Sequence, residues 1–399
     1  MRLFFGLPKP VWLLGWVSLA TDSATEAIYP LLPIFLTRVL GADAVSLGIV
    51  EGAAEAANSV LKILSGRIAD RSARKRPLVL FGYSVSSLAR PLIAVTTNWP
   101  QVFMVRVLDR VGKGVRGAPR DAMLATWATP QTRGKVYGFH RAMDHAGAVL
   151  GPALASVFLL FFPDRYRTLF ALTIVPGAVA VALILLVKEE TEANSAADIR
   201  LEPDGVDDTD SSTAARQELP RAFTMFMMVL TLFALGNSTD AFLLLKLTDV
   251  AGSAKYVPLM WAALHVVKAT TSVVGGSWSD RIGRRTVIAL GWLVYAVVYA
   301  GFAVSTTLEA LVVWFLVYGF YFGFAEGTEK ALVADLAPEA RRGLAFGIYN
   351  AVQGIGALAA SVIFGVLWSA YASAVAFGVG AALALTATAL LFAAVGRQP

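Results

Sequence analysis

GRIADRSARKR, residues 66–76, and GSWSDRIGRR, residues 276–285, are one pattern written twice. Gly66, Asp70, Arg71, Arg74 and Lys75 fall on Gly276, Asp280, Arg281, Arg284 and Arg285 at a shift of 210 positions. A second match, Arg133-Gly134 with Tyr137-Gly138 against Arg342-Gly343 with Phe346-Gly347, has a shift of 209. Two separated matches at nearly one offset indicate a chain built by internal duplication.

What surrounds each copy is apolar. The 399 residues are 57% hydrophobic and only 16% charged, with a mean hydropathy of +0.64, which sets the chain apart from soluble domains of this length. Twelve apolar runs predict helices at roughly 10–37, 44–69, 77–97, 100–126, 134–161, 166–188, 220–247, 255–279, 286–305, 307–335, 342–368 and 371–395. Each can cross about 30 Å of hydrocarbon. The runs are continuous and not alternating, which argues against a β-barrel. The first is too long, and lacks the small-residue cleavage site, for a removed leader, so it is expected to stay as the first helix. Basic residues gather in alternate loops: Arg67 to Arg76, Arg133 with Lys135, Arg281 to Arg285, and Arg341 with Arg342. That asymmetry explains the net charge of +6 without nucleic acid, and it predicts that these loops and both termini face the cytoplasm of a prokaryotic inner membrane. With no cysteine, disulfides and thiolate metal sites are excluded.

Between the halves the composition turns acidic and polar, KEETEANSAADIRLEPDGVDDTDSSTAARQELP. The expected organisation is therefore an amino-terminal six-helix bundle over 1–188, an acidic cytoplasmic linker over 189–219 and a carboxy-terminal six-helix bundle over 220–399. The fold class is all-α, with twelve membrane-spanning helices in two pseudo-symmetric bundles.

The duplicated Gly-x-x-x-Asp-Arg-x-Gly-Arg-Arg pattern resembles the signature loop of the major facilitator superfamily. The second copy fits throughout, and the first has Ala73 where the family has glycine. Arg106 with Gly112 and Gly114 resembles the family's next motif. GAVLGP, Gly147 to Pro152, resembles the helix-five motif of its drug and proton antiporters, with Leu154-Ala155 replacing the usual trailing glycines; its counterpart GALAAS, 356–361, lacks the proline. The resemblance covers the whole chain. It implies a gating role for Gly66, Asp70, Arg71, Arg74, Gly276, Asp280, Arg281 and Arg284, with Asp121 as a partner at the end of the fourth helix. It also implies close packing and sealing against leak at Gly147, Gly151 and Pro152.

Charges inside the apolar runs need partners or water, because each costs about 2.5 to 3.5 kcal/mol at the centre of a membrane helix on insertion scales. Glu51, Glu55, Asn58 and Lys62 recur at helical spacing on the second run, and Asp22 and Glu26 lie one turn apart on the first. Arg106, Arg110 and Lys113 line the fourth run. Asp144 and His145 occupy the fifth, and Arg90 the third. The 210 shift carries the face of Glu51 and Glu55 onto Trp261, His265 and Lys268; Asp240 and Glu326 are further acids of the second half. Candidate cavity residues are thus Glu51, Glu55, Asn58, Lys62, Arg90, Arg106, Arg110, Lys113, Asp240, Trp261, His265, Lys268 and Glu326. Asp22, Glu26, Asp144 and His145 are candidates for proton coupling: two shielded carboxylates a turn apart repel when both ionise, and histidine titrates near neutrality. The other reading of Asp22 and Glu26 is as salt-bridge partners of Arg110, Arg106 or Lys62.

His140, His145 and His265 lack metal-ligand spacing, and no nucleophile motif or phosphate loop is present; GKG at 112–114 lacks the flanking residues of a P-loop. No cofactor, no metal and no enzymatic activity are expected. The expected function is gradient-driven export of a small organic compound in exchange for protons, by alternating access in a monomer embedded in the bilayer. The alternatives are an organic-anion or phosphate-ester permease with an arginine-lined cavity, or a lipid-handling or non-transporting protein of the same fold.

Overall fold

The computed structural model describes residues 7–71, 74–128, 132–187, 219–338 and 341–394. The linker predicted over 189–219 lies outside them apart from its last residue, as do the side chains of Asp70, Arg71 and Asp280 and the surroundings of Gly66 and Gly276. The described residues form twelve helical runs and no strand. These are α1 (Lys9–Ile28), α2 (Ala44–Arg71), α3 (Arg76–Leu92), α4 (Trp99–Thr126), α5 (Arg133–Phe161), α6 (Tyr166–Leu172 with Ile174–Leu185), α7 (Arg221–Gly236 with Ala241–Ala251), α8 (Val257–Ile282), α9 (Arg284–Val304), α10 (Leu308–Leu336), α11 (Arg342–Ala370) and α12 (Ser373–Ala394). Eight of them, α3, α5, α6, α7 and α9 to α12, are long and apolar enough to cross a membrane. The other four carry Asp22, Glu26, Glu51, Glu55, Lys62, Arg106, Arg110, Lys113 and Lys268, whose charges offset their hydropathy.

Local chemistry sets the helix ends. Asp43 accepts the Ser46 N–H at 2.8 Å to start α2, and Asn98 accepts the Gln101 N–H at 3.1 Å to start α4, each covering an orphan donor of a first turn. Gly283, with φ of 90°, turns the chain from α8 into α9 through a conformation that costs other residues strain. This is the conformational reason for a glycine in the second signature loop. The run predicted as one helix over 10–37 is broken: after Ile28 the chain passes through a tight turn at Tyr29–Leu31, a short α segment at Leu32–Ile34 and a wide turn at Phe35–Val39. Pro30 and Pro33 each lack the N–H that an unbroken helix needs. The run predicted over 220–247 is broken as well. Between its two pieces the freed Thr239 N–H donates to the Ser361 hydroxyl at 3.2 Å, and the Asn237 side-chain amide donates to the Tyr321 hydroxyl at 3.0 Å.

The helices divide into two compact units, one holding α1 to α6 together with Asp240–Val266, the other the first piece of α7 and the chain from Val267 onward. In the first, Val11, Leu14 and Val17 of α1 pack with Val79 and Tyr83 of α3, Met123 and Leu124 of α4, and Ala180 and Ile184 of α6. Lipid is as apolar as these side chains, so close approach and not water exclusion favours helix pairing. Gly147 and Gly151 supply such an approach between α5 and α1. A Cβ at Gly147 would lie 2.6 Å from the Leu19 carbonyl oxygen, and one at Gly151 would overlap the backbone of Ser23. The second unit is centred on aromatic rings: Phe233 stacks on Trp292 at 4.4 Å, and Tyr295 on Tyr299 at 4.1 Å.

Candidate ion-coupling site

Three kinds of charged environment occur inside the helices. The first is a knot of arginines and acids on α2, α3 and α4. Arg106 makes a two-pronged contact with Glu51 at 2.9 and 2.7 Å and lies 3.7 Å from Asp109. Arg90 meets Asp109 at 3.0 Å and donates to the Thr21 carbonyl at 3.3 Å. Arg116 donates to Ser86 at 2.7 Å and lies over the Tyr83 ring. All of these charges are buried. Removing one partner from such a pair leaves an uncompensated buried charge and costs about 3–5 kcal/mol. Glu51, Arg90 and Arg106, expected along the cavity, all take part in this knot. Asp109 absorbs two arginines at once, which is why both side chains turn inward.

The second environment is mixed and less paired. Glu55 accepts from Asn58 at 3.0 Å, with Arg110, Lys113 and Lys62 within electrostatic range. Arg110 is only 6% exposed, yet its Nε and one Nη have no hydrogen-bond partner.

The third consists of carboxylates held by neutral or titratable groups. Glu26 accepts the Trp261 indole N–H at 2.8 Å, and its same oxygen lies 3.7 Å from His265 Nε2. Trp261 also packs its ring on Tyr29 at 4.9 Å. These residues all belong to the first compact unit. Asp22, a turn earlier, makes no hydrogen bond or ion pair among the described residues and is in range of Asp144, Lys113, Glu26 and Arg116. Asp144 accepts from Ser18 and lies 3.6 Å from His140 Nδ1. Ion pairs from Glu26 to Arg106, Arg110 or Lys62 are therefore replaced by contacts with Trp261 and His265, which the 210 shift singled out without indicating a partner. Asp144, expected to act with His145, meets His140 four residues earlier on α5 instead, and His145 sits half-buried on the same helix.

In the second unit Lys268 stands 3.4 Å from the centre of the Phe322 ring, and Glu326 pairs with Lys330 at 3.0 Å on a half-exposed surface. Asp240 begins the second piece of α7, its carbonyl accepting the Leu244 N–H. At the signature loops Arg284 pairs with Asp335 and donates to Ser279 at 3.1 Å; Arg281 and Arg74 are exposed. Asp121, expected as a gating partner, pairs with adjacent Arg120 at 2.9 Å. Arg38 was not singled out by the sequence. It reaches from the wide turn at Phe35–Val39 to the end of α7, donating to the Thr248 carbonyl at 3.0 Å and lying 3.4 Å from Asp249. A cation there complements the negative end of a helix.

The fold and these motifs agree with the comparisons to known proteins. The family model for the Major Facilitator Superfamily matches residues 11–266 and 222–399. The chain belongs to the major facilitator superfamily. It is 32% identical over 369 residues to the MFS-type transporter MJ1317 of Methanocaldococcus jannaschii, covering 91% of this chain and 89% of that one. It is 27% identical over 327 residues to the multidrug resistance protein MdtH of Cronobacter sakazakii, covering 79% and 76%. Among solved structures, a mutant of the nucleoside transporter NupG matches with a TM-score of 0.81 at 13% identity, over 97% of this chain and 100% of that one. The protein is thus a multi-pass membrane transporter of a small molecule, not an enzyme.

Proposed function

We propose that this superfamily member exports a small organic compound in exchange for protons, with Asp22 and Glu26 as the coupling carboxylates. The observation that carries the reading is the contact of Glu26 with Trp261 and His265. An acid hydrogen-bonded by an indole can gain or lose a proton without stranding a permanently charged partner, whereas Glu51 cannot, because buried Arg106 would keep only the 3.7 Å contact with Asp109, which Arg90 shares. His265 gives the carboxylate a neighbour that can itself take up a proton. Asp22 adds a second acid one turn away, and Asp144 with His140 extends the same polar face on α5.

A cycle follows from these contacts. Protonation of Glu26 weakens its acceptance of the Trp261 N–H, which frees α1 from α8. Cargo leaves, and loss of the proton on the other side restores the contact. Arg38, clasping the end of α7, closes the face opposite the basic loops, with the loops and both termini assigned to the cytoplasm of an inner membrane and the protein acting as a monomer. The amino- and carboxy-terminal bundles over 1–188 and 220–399 are the bodies that rock, joined by the acidic segment 189–219. The relatives named multidrug resistance proteins support efflux as the direction.

The test is transport in vesicles carrying the purified protein and an imposed pH gradient, with tetraphenylphosphonium, ethidium and neutral dyes as probes. Asp22→Asn and Glu26→Gln are expected to abolish gradient-driven movement while the protein still elutes as a folded species. Unchanged pH dependence in both variants would remove the proposal. One observation favours a second reading, an organic-anion permease: the buried guanidinium of Arg110 has free donors, and a carboxylate or phosphate ester could take them. Movement of anionic probes alone, lost in Arg110→Gln, would select it.

A further inference from the structure

Glu329, on α10, is buried among residues of the second unit, 2% exposed. Three side chains donate to it. The Trp292 indole N–H on α9 reaches Oε1 at 2.8 Å. On α11, the Tyr349 hydroxyl and the Gln353 amide N–H both reach Oε2 at 3.1 Å. The Gln353 amide also donates to the Tyr349 hydroxyl at 3.2 Å. Among the described residues no cation lies within ion-pair distance of the carboxylate. The nearest charged groups on its own helix, Glu326 and Lys330, pair with each other, and Lys268 of α8 stands over the Phe322 ring.

We infer that Glu329 is a second proton-binding site of the transporter, lodged in the second unit. The two oxygens differ in what they can accept. Oε1 faces an indole N–H, which can only donate and so favours an unprotonated oxygen. Oε2 faces the Tyr349 hydroxyl, which can donate or accept. When a proton adds to Oε2, the new O–H points at Tyr349, whose own hydrogen rotates away. No bond between heavy atoms changes, and no charged partner is stranded. Glu51 and Asp109, by contrast, each face a permanently charged arginine. The half-exposed Glu326, one turn before Glu329, offers a route from water. The 210 shift places Pro119 opposite Glu329, so this site has no counterpart at that position in the first half.

The second site extends the proton coupling proposed above and rests on it. The test is infrared difference spectroscopy of the full chain in lipid across a pH series, reading the carbonyl band that only protonated carboxylic acids give. Part of that band is expected to vanish in Glu329→Gln and to persist in the Asp22→Asn, Glu26→Gln double variant. Superimposable bands in Glu329→Gln and wild type would overturn the assignment. If Glu329→Gln does not fold, Tyr349→Phe serves: the midpoint of the Glu329 component should move by about one pH unit, a tenfold change in proton affinity. An unmoved midpoint would overturn it as well. Failure of the antiport reading looks different, since Asp22→Asn and Glu26→Gln would then transport normally whatever Glu329 does.

Discussion

The knot on α2, α3 and α4 and the network around Glu329 both bury carboxylates in the membrane, and they use opposite partners. Glu51 and Asp109 face arginines; Glu329 faces an indole, a phenol and an amide. An acid against an arginine is half of a fixed pair, and its protonation would leave a buried cation. An acid against neutral donors can change state without stranding a charged partner. Number of charges is therefore a poor guide to function inside a membrane, and the kind of partner is a better one. Glu26, with Trp261 and His265, belongs with Glu329 by this criterion although it lies in the charge-rich first unit.

The contrast can be broken most directly at Arg106. Arg106→Ala is expected to destabilise the protein by about 3–5 kcal/mol by leaving Glu51 unpaired, read as a lower midpoint of thermal unfolding in detergent. Glu26→Gln is expected to change that midpoint little. Equal losses in the two would erase the distinction between fixing and coupling acids. Next in size is Gly151→Ala, whose Cβ would overlap the Ser23 backbone. Overpacking of about 1–3 kcal/mol is expected, with raised proton leak in vesicles. Arg38→Ala should cost at most about 1 kcal/mol, since the pair with Asp249 is exposed. It should nonetheless raise the labelling rate of a single cysteine introduced at Ser156, whose hydroxyl meets the Lys255 carbonyl at 3.5 Å. The chain holds no cysteine of its own, so the label reports one site.

The smallest effect lies outside the membrane. Hydrogen bonds from the Ser46 hydroxyl and N–H hold the exposed Asp43 carboxyl below its ordinary range. A carboxylate depressed in the folded state contributes stability above its unfolded pKa and loses it as pH falls through the folded one. Ser46→Ala should weaken α2 near neutral pH, and its difference from wild type should shrink below about pH 4.

Helix positions were legible because each apolar run had to match a bilayer, and α2 to α5 begin and end within a few residues of the runs. The breaks were also written, in Pro30 and Pro33 and in the Asn237-Ser238-Thr239 segment, but continuous hydropathy across them concealed the change of direction. The pairing of Asp144 with His140 was available from a spacing of four. Contacts between distant helices were not. Nothing local ties Glu26 to Trp261, 235 positions later, or Glu329 to Trp292, and the duplication points away from Glu329 by offering Pro119 in its place. The knot shows the converse limit: helical spacing put Arg106 and Glu51 on polar faces, and only packing reveals that those faces meet each other.

Two of the nine tryptophans, Trp261 and Trp292, donate to two of the three acids proposed to exchange protons, Glu26 and Glu329. Emission of the purified protein across pH therefore tests the central claim directly. Two separable pH-dependent components are expected, one lost in both Glu26→Gln and Trp261→Phe, the other lost in both Glu329→Gln and Trp292→Phe, with both intact in Glu51→Gln. Emission that does not vary with pH, or components that survive loss of these carboxylates, would contradict the claim.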